Sequence, residues 1–181
     1  MGSRHRTDPL VVGLAGYKGS GKTTVASAVA QLVGGTVASF GAFVRTKAQG
    51  GEDAITLADF GAHLLATMGA GQLVRETIEA TGWDGGSPLI IEGIRHTEVL
   101  DVLLTQFPQF HLVFVDAPGR VREDRLMKRD GLRASAIATL QAHSTEMGVE
   151  ALRNRADLVV DASGELGQGA ARVVFRWIEA W

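Results

Sequence analysis

Residues 16–23 carry the densest chemistry in the chain. Gly16, Tyr17, Lys18, Gly19, Ser20, Gly21, Lys22 and Thr23 satisfy G-x-x-x-x-G-K-[ST] at every fixed position. The glycines let backbone N–H groups turn inward around phosphate oxygens, and a helix starting near Gly21 adds the positive end of its dipole. In such a loop the lysine, here Lys22, bridges the β and γ phosphates of a nucleotide, and the Thr23 hydroxyl ligates Mg²⁺. Thr24 completes the candidate nucleotide-binding set. Lys22 is expected to be exposed in the loop. Lys18 is expected to steer phosphate rather than carry the transfer, because Lys22 already has the central role.

Further along, acids and arginines recur at positions where they could act on phosphate. Glu92 closes a short apolar run. A carboxylate at a strand end can hold a Mg²⁺-bound water or accept a proton from a hydroxyl. Arg45, Arg95 and Arg75 are candidate clamps on an acceptor, since a guanidinium grips phosphate bidentately. Arg122, Arg125 and Arg129 fall at i, i+3 and i+7, one helical face. A transferring phosphoryl group needs cations at its equatorial oxygens, and Arg125 and Arg129 are the candidates for that role. Arg120 and Arg122 could equally pair with Glu123 and Asp124 on a solvated face. His96, Glu98 and Asp101 read as helix-start surface rather than a metal site. His143 and Glu146, with the two hydroxyls between them, give no recognisable triad.

Taken in order, several segments resemble the nucleoside and nucleotide kinase group of P-loop proteins. They are the phosphate loop, Gly41-Ala42-Phe43-Val44-Arg45, Glu92-Gly93-Ile94-Arg95, the charged run from Arg122 to Arg129, and Ala156-Asp157-Leu158-Val159-Val160. Within that group the chain is most similar to dephospho-CoA-kinase-like and deoxynucleoside-monophosphate-kinase-like members. The resemblance spans about residues 10–178. It implies ATP as phosphoryl donor with Mg²⁺, and Arg45 and Arg95 on a small nucleotide-like acceptor. It also implies a lid helix and short lid at about 119–136, a helical acceptor-binding region at about 42–82, and a loop after the fifth strand packed on adenine. Ala42 stands where the family's motif has Asp.

Two acceptor classes follow. A phosphate acceptor needs cationic clamps, and Arg45, Arg95 and Arg75 favour a (deoxy)nucleoside monophosphate. A hydroxyl acceptor, as in a dephospho-CoA kinase or a nucleoside kinase, needs a base, and Glu92 would be it. A GTPase-like switch fits poorly. Asp116-Ala117-Pro118-Gly119 lies far beyond Thr23, and Asn154-Arg155-Ala156-Asp157 lacks the lysine and precedes its strand. A nucleotide-binding regulator without catalysis is the remaining reading.

These side chains need a scaffold, and the pattern supplies one. Short apolar runs at 10–15, 36–40, 89–91, 110–115 and 158–160 alternate with helical stripes. Near-continuous apolar strands interleaved with helices mean a parallel sheet covered on both faces. The expected fold is a three-layer α/β/α sandwich with five parallel strands, and the order 2-3-1-4-5 comes from the resemblance alone. Gly34 should end the first helix, Thr56 and Asp59 look like a capping box, and Gly69 and Gly71 should break the middle helices. Val173, Val174, Trp177, Ile178 and Trp181 are expected to share the inward side of the last helix.

Composition bounds the rest. The chain has 181 residues, 45% of them apolar, enough for a core in a single domain over 1–181 with residues 1–8 as a flexible tail. Lys plus Arg number 18 and Asp plus Glu 20, a net charge of -2 that is no footprint for nucleic acid. Cysteine is absent, which removes disulfides, thiolate metal sites and thiol nucleophiles. No apolar run approaches the ~18 residues of a membrane span, and no signal-peptide core is evident. The expectation is a cytoplasmic protein, monomer or homodimer.

Overall fold

Alternation inside each apolar run builds a sheet with two buried faces. The computed structural model describes residues 9–48, 54–143, 146, 148–164 and 167–180. Its five strands are β1 (Val11–Ala15), β2 (Thr36–Ser39), β3 (Leu89–Ile94), β4 (Phe110–Asp116) and β5 (Leu158–Asp161), all parallel, in the order β2-β3-β1-β4-β5. Val12 pairs with Ile90 on one side and His111 on the other, so β1 lies at the centre. Successive side chains point to opposite faces. Val12, Leu14, Ile90, Val113 and Val115 pack on one face, and Val11, Ala15, Ile91, Leu112 and Phe114 on the other.

Helices cover both faces. Helix α1 (Lys22–Val33) and the last helix, α8 (Gln168–Glu179), bury Val25, Val29, Val174 and Ile178 against the first face. The second face carries α3 (Ala54–Glu79), α4 (Thr97–Gln106) and α7 (Val149–Arg153). The remaining helices are α2 (Phe40–Lys47), α5 (Gly119–Asp130) and α6 (Ala134–Ala142). Leu14 is fully buried in this arrangement, and its truncation to Ala would cost ~2–5 kcal/mol. No helix among the described residues is long and apolar enough to cross a membrane.

Local differences from the sequence reading have plain causes. Helix α3 already begins at Ala54, so Thr56 lies inside it and cannot be an N-cap. Asp59 instead meets His143 Nε2 at 2.9 Å. The expected break at Gly69 is present, with φ 76° and ψ 158° inside α3. Val173 is 51% exposed, because the buried stripe of α8 runs through Ala170, Ala171, Val174 and Ile178. Trp181 and the tail at 1–8 lie outside the described residues. Strand β3 does not stop at Glu92. Leu14 pairs with Glu92 and Ala15 with Ile94, so Gly93 is skipped, at φ 87°. Such a bulge bends a strand and re-aims its side chains, here at the carboxyl edge of the sheet where Glu92 sits.

Candidate active site

The phosphate loop follows β1 and opens α1. Gly16, at φ 145°, has no room for a side chain, since a Cβ there would lie 2.2 Å from the Val115 carbonyl oxygen. Lys22 is buried, contrary to the sequence expectation, and its Nζ donates to the Tyr17 carbonyl at 2.7 Å. The loop curls over its own lysine. Burial, and then the nearby Arg95 guanidinium, push the Lys22 ammonium well below the usual lysine range, while Glu92 pulls the other way. Ser20 has a buried hydroxyl without a hydrogen-bond partner among the described residues.

Tyr17 anchors the outer side of the loop. Its ring meets Phe114 edge-on at 5.6 Å between centroids, and the Arg122 guanidinium lies 4.5 Å over it. Its hydroxyl donates to Glu150 of α7. Burial, followed by that carboxylate, raises the phenol to about 12.

Arg125 reaches the loop from α5. It donates to the carbonyls of Ser20 at 3.1 Å, Ala162 at 2.7 Å and Gly164 at 3.1 Å. It therefore joins the phosphate loop to the β5–α8 loop, and its donors serve backbone carbonyls rather than the cleft. Arg129 does line the cleft, where it pairs bidentately with Asp130 at 2.6 and 2.8 Å.

A cleft of about 230 Å³ opens between this loop, α2, α3, β3 and α6. Lys18, Gly19, Gly21, Lys22, Thr23 and Thr24 form its donor side. The opposite wall is apolar, with Phe40, Val44, Leu57, Val99 and Leu140. Glu92 lies in the cleft wall, 4% exposed, and accepts from the Ser39 hydroxyl. Ser39 Oγ in turn accepts from the Ala42 N–H at 3.1 Å and caps α2. The carboxylate is thus tied to the helix that carries Arg45, which also lines the cleft. Arg75 does not join this group. It is exposed on α3 and is not among the residues that line the cleft.

Arg95 lines the cleft but is already engaged. Its Nη1 pairs with Glu146, a carboxylate only 7% exposed. The other oxygen of Glu146 accepts from the Lys18 N–H of the phosphate loop at 2.9 Å. Burial lowers Arg95 to about 10. Burial, and next Arg95, lower Lys18 to about 8.

Residues 12–160 match the AAA domain family AAA_18. The chain belongs to this family. A comparison with curated proteins finds no match. Among solved structures, a shikimate kinase from Acinetobacter baumannii in complex with shikimate is 17% identical, with 96% of this chain and 94% of that one covered at a TM-score of 0.60. A sugar kinase from Janibacter sp. HTCC2649 is 24% identical over 94% and 95%, at 0.59. TT1252 from Thermus thermophilus is 22% identical over 97% and 100%, at 0.64. Identities this low speak for the fold, which this AAA-family chain shares with P-loop kinases. The family match and the shared fold agree with the P-loop reading of the sequence. They carry the resemblance to P-loop kinases at large, and not the narrower one to dephospho-CoA or deoxynucleoside-monophosphate kinases.

The donor set of this AAA-family protein suits a magnesium nucleotide. No group of three or more acidic, His or Cys side chains among the described residues is placed to hold a metal ion by itself. Mg²⁺ commonly takes one or two protein groups and completes its shell with phosphate oxygens and water. Thr23 and, through water, Glu92 both line the cleft and could supply those groups.

The sequence did not single out Ser39, and it raised His143 and Glu146 only as a triad that fails. Ser39 had a signal, a serine between an apolar strand and a helix, which is N-cap chemistry. Glu146 had none, because its importance arises only when the fold sets it against Arg95 and the Lys18 N–H.

Proposed function

We propose that the protein transfers the γ-phosphoryl group of ATP to a hydroxyl of a small molecule, with Glu92 as the general base. The observation that carries this reading is a buried carboxylate at the carboxyl edge of the sheet, held by Ser39 and facing the same cleft as Lys22. The acceptor oxygen bonds to the γ phosphorus as the bond to the β–γ bridging oxygen breaks. Its proton passes to Glu92, and ADP leaves. Lys22 sits where charge develops between the β and γ phosphates. Mg²⁺, when bound, neutralises oxygens of those phosphates.

A monophosphate acceptor would rely on the arginines instead. Of the three candidates, Arg75 does not line the cleft and Arg95 is paired with a buried acid, which leaves Arg45. The geometry therefore favours the hydroxyl class over the nucleoside monophosphate that the arginine count suggests. The neighbouring structures named for shikimate and sugar kinases agree with a hydroxyl acceptor.

The test is a panel of nucleosides, sugars, shikimate, dephospho-CoA and nucleoside monophosphates with Mg-ATP, read by mass spectrometry. A hydroxyl compound should gain a phosphoryl group, and Glu92→Gln should lower that rate by about 10²–10⁴, the range for a general base. Turnover of a monophosphate, unaffected by Glu92→Gln, would overturn the reading.

A further inference from the structure

We infer that Glu146 is a specificity-determining residue: its carboxylate fills, from within the protein, the anion position formed by Arg95 and the Lys18 amide. The inference deepens the hydroxyl-acceptor reading and rests on it. Two donors converge on this one side chain. Arg95 Nη1 pairs with one oxygen, and the Lys18 N–H donates to the other at 2.9 Å. A guanidinium and a phosphate-loop amide are the donors that a phosphate or carboxylate oxygen would seek. Glu146 is 7% exposed and lines the cleft, so it holds that place rather than lying beside it.

Two described residues near it in the chain are held as well. His143 Nε2 meets Asp59 of α3 at 2.9 Å, and Glu150 accepts from the Tyr17 hydroxyl. His143 is thus tied to the acceptor-side helix and Glu150 to the phosphate loop. An acceptor with an anionic head would have to displace a buried, doubly bonded carboxylate and would meet its charge. A neutral hydroxyl compound meets no such opposition. Glu146 thus acts on selection by occupying Arg95, and Glu92 keeps the proton transfer.

Inorganic phosphate is the probe, titrated calorimetrically into the Mg-ADP-bound protein, so that no acceptor need be known. Wild type should bind it weakly. Glu146→Ala should bind about tenfold tighter or more, the equivalent of one charge-assisted hydrogen bond regained. The double variant Glu146→Ala with Arg95→Ala should return to the wild-type affinity. A purely bracing role for Glu146 would not produce a gain that depends on Arg95. If Glu146→Ala does not fold, Glu146→Gln keeps the shape, removes the charge, and should show the same gain at smaller size. No gain in a folded variant, or a gain that survives the loss of Arg95, would overturn the inference. The acceptor panel fails or succeeds separately, because this binding measurement involves no turnover.

Discussion

The donor half of the cleft and the acceptor half are built in different ways. The donor half is contiguous, since eight residues from Gly16 to Thr23 form the loop and the start of α1. Its geometry is made of backbone, and one of its outside supports also acts on backbone. Arg125 holds carbonyls of the loop and of the β5–α8 loop. The acceptor half is assembled from distant side chains: Ser39 at the end of β2, Glu92 on β3, Arg95 just beyond it, and Glu146 after α6. A backbone cradle tolerates many neighbours and binds what all nucleotides share. A side-chain cluster changes with each substitution and selects the acceptor. The contrast predicts that donor-side changes damage every reaction, whereas acceptor-side changes alter which molecule reacts.

The largest effect is expected from Lys22→Met. Turnover should fall by about 10²–10³, the typical loss of one positioned donor at developing charge. The melting temperature should stay level or rise. Burial holds the Lys22 pKa below its unfolded value, so at neutral pH the buried ammonium costs stability that methionine does not. Turnover and a thermal melt on the same sample check both halves of this. A large drop in melting temperature would show that the Tyr17 contact outweighs the cost of burying the charge.

Arg125→Ala comes next. It removes donors from carbonyls on two loops, and a hydrogen bond involving a charged group is worth ~1.5–3 kcal/mol. Denaturant unfolding should show a loss of that order, and Mg-ADP affinity should fall with it. A stable protein that loses only turnover would instead place Arg125 on the transferring phosphoryl group.

A smaller effect concerns pH. Lys18 is held at about 8 in the free protein, by burial first and Arg95 second. Bound phosphates favour its charged form and raise that value. Mg-ATP binding should therefore take up protons near pH 8, and affinity should decline as pH rises through it. Calorimetry in buffers of different ionisation heats reads the uptake directly, and no uptake would show that Lys18 does not sense the nucleotide.

The sequence reading was strongest where chemistry and chain order coincide. A phosphate loop is one unbroken stretch, and five apolar runs separated by helical stripes define a parallel sheet without any long-range information. The strand order came by resemblance, and β2-β3-β1-β4-β5 is what the fold shows. Glu92 could be placed because strand ends of an open parallel sheet face the ligand. Burial of individual side chains was not legible. Lys22 turns inward because its own loop offers the Tyr17 carbonyl, and Arg75 points outward because of the rotation of α3 about its axis. Glu146 was passed over for a related reason. It lies 51 residues from Arg95 and 128 from Lys18, and only the fold brings the three together.

Arg75→Ala should have the smallest effect. For an exposed side chain that does not line the cleft, the loss should change stability by no more than ~0.5 kcal/mol and leave acceptor KM unchanged. A raised KM for an anionic acceptor would draw α3 into recognition and blur the line between the two halves.

The linkage of the transferred phosphorus tests the hydroxyl acceptor most directly. Once the panel yields a substrate, ³¹P NMR of the product distinguishes a phosphate ester on carbon from a phosphoanhydride. The buried Glu92 and the occupied Arg95 predict a phosphate monoester, formed by the wild type and lost in Glu92→Gln. A diphosphate, with its phosphorus–oxygen–phosphorus coupling and undiminished formation in Glu92→Gln, would contradict it.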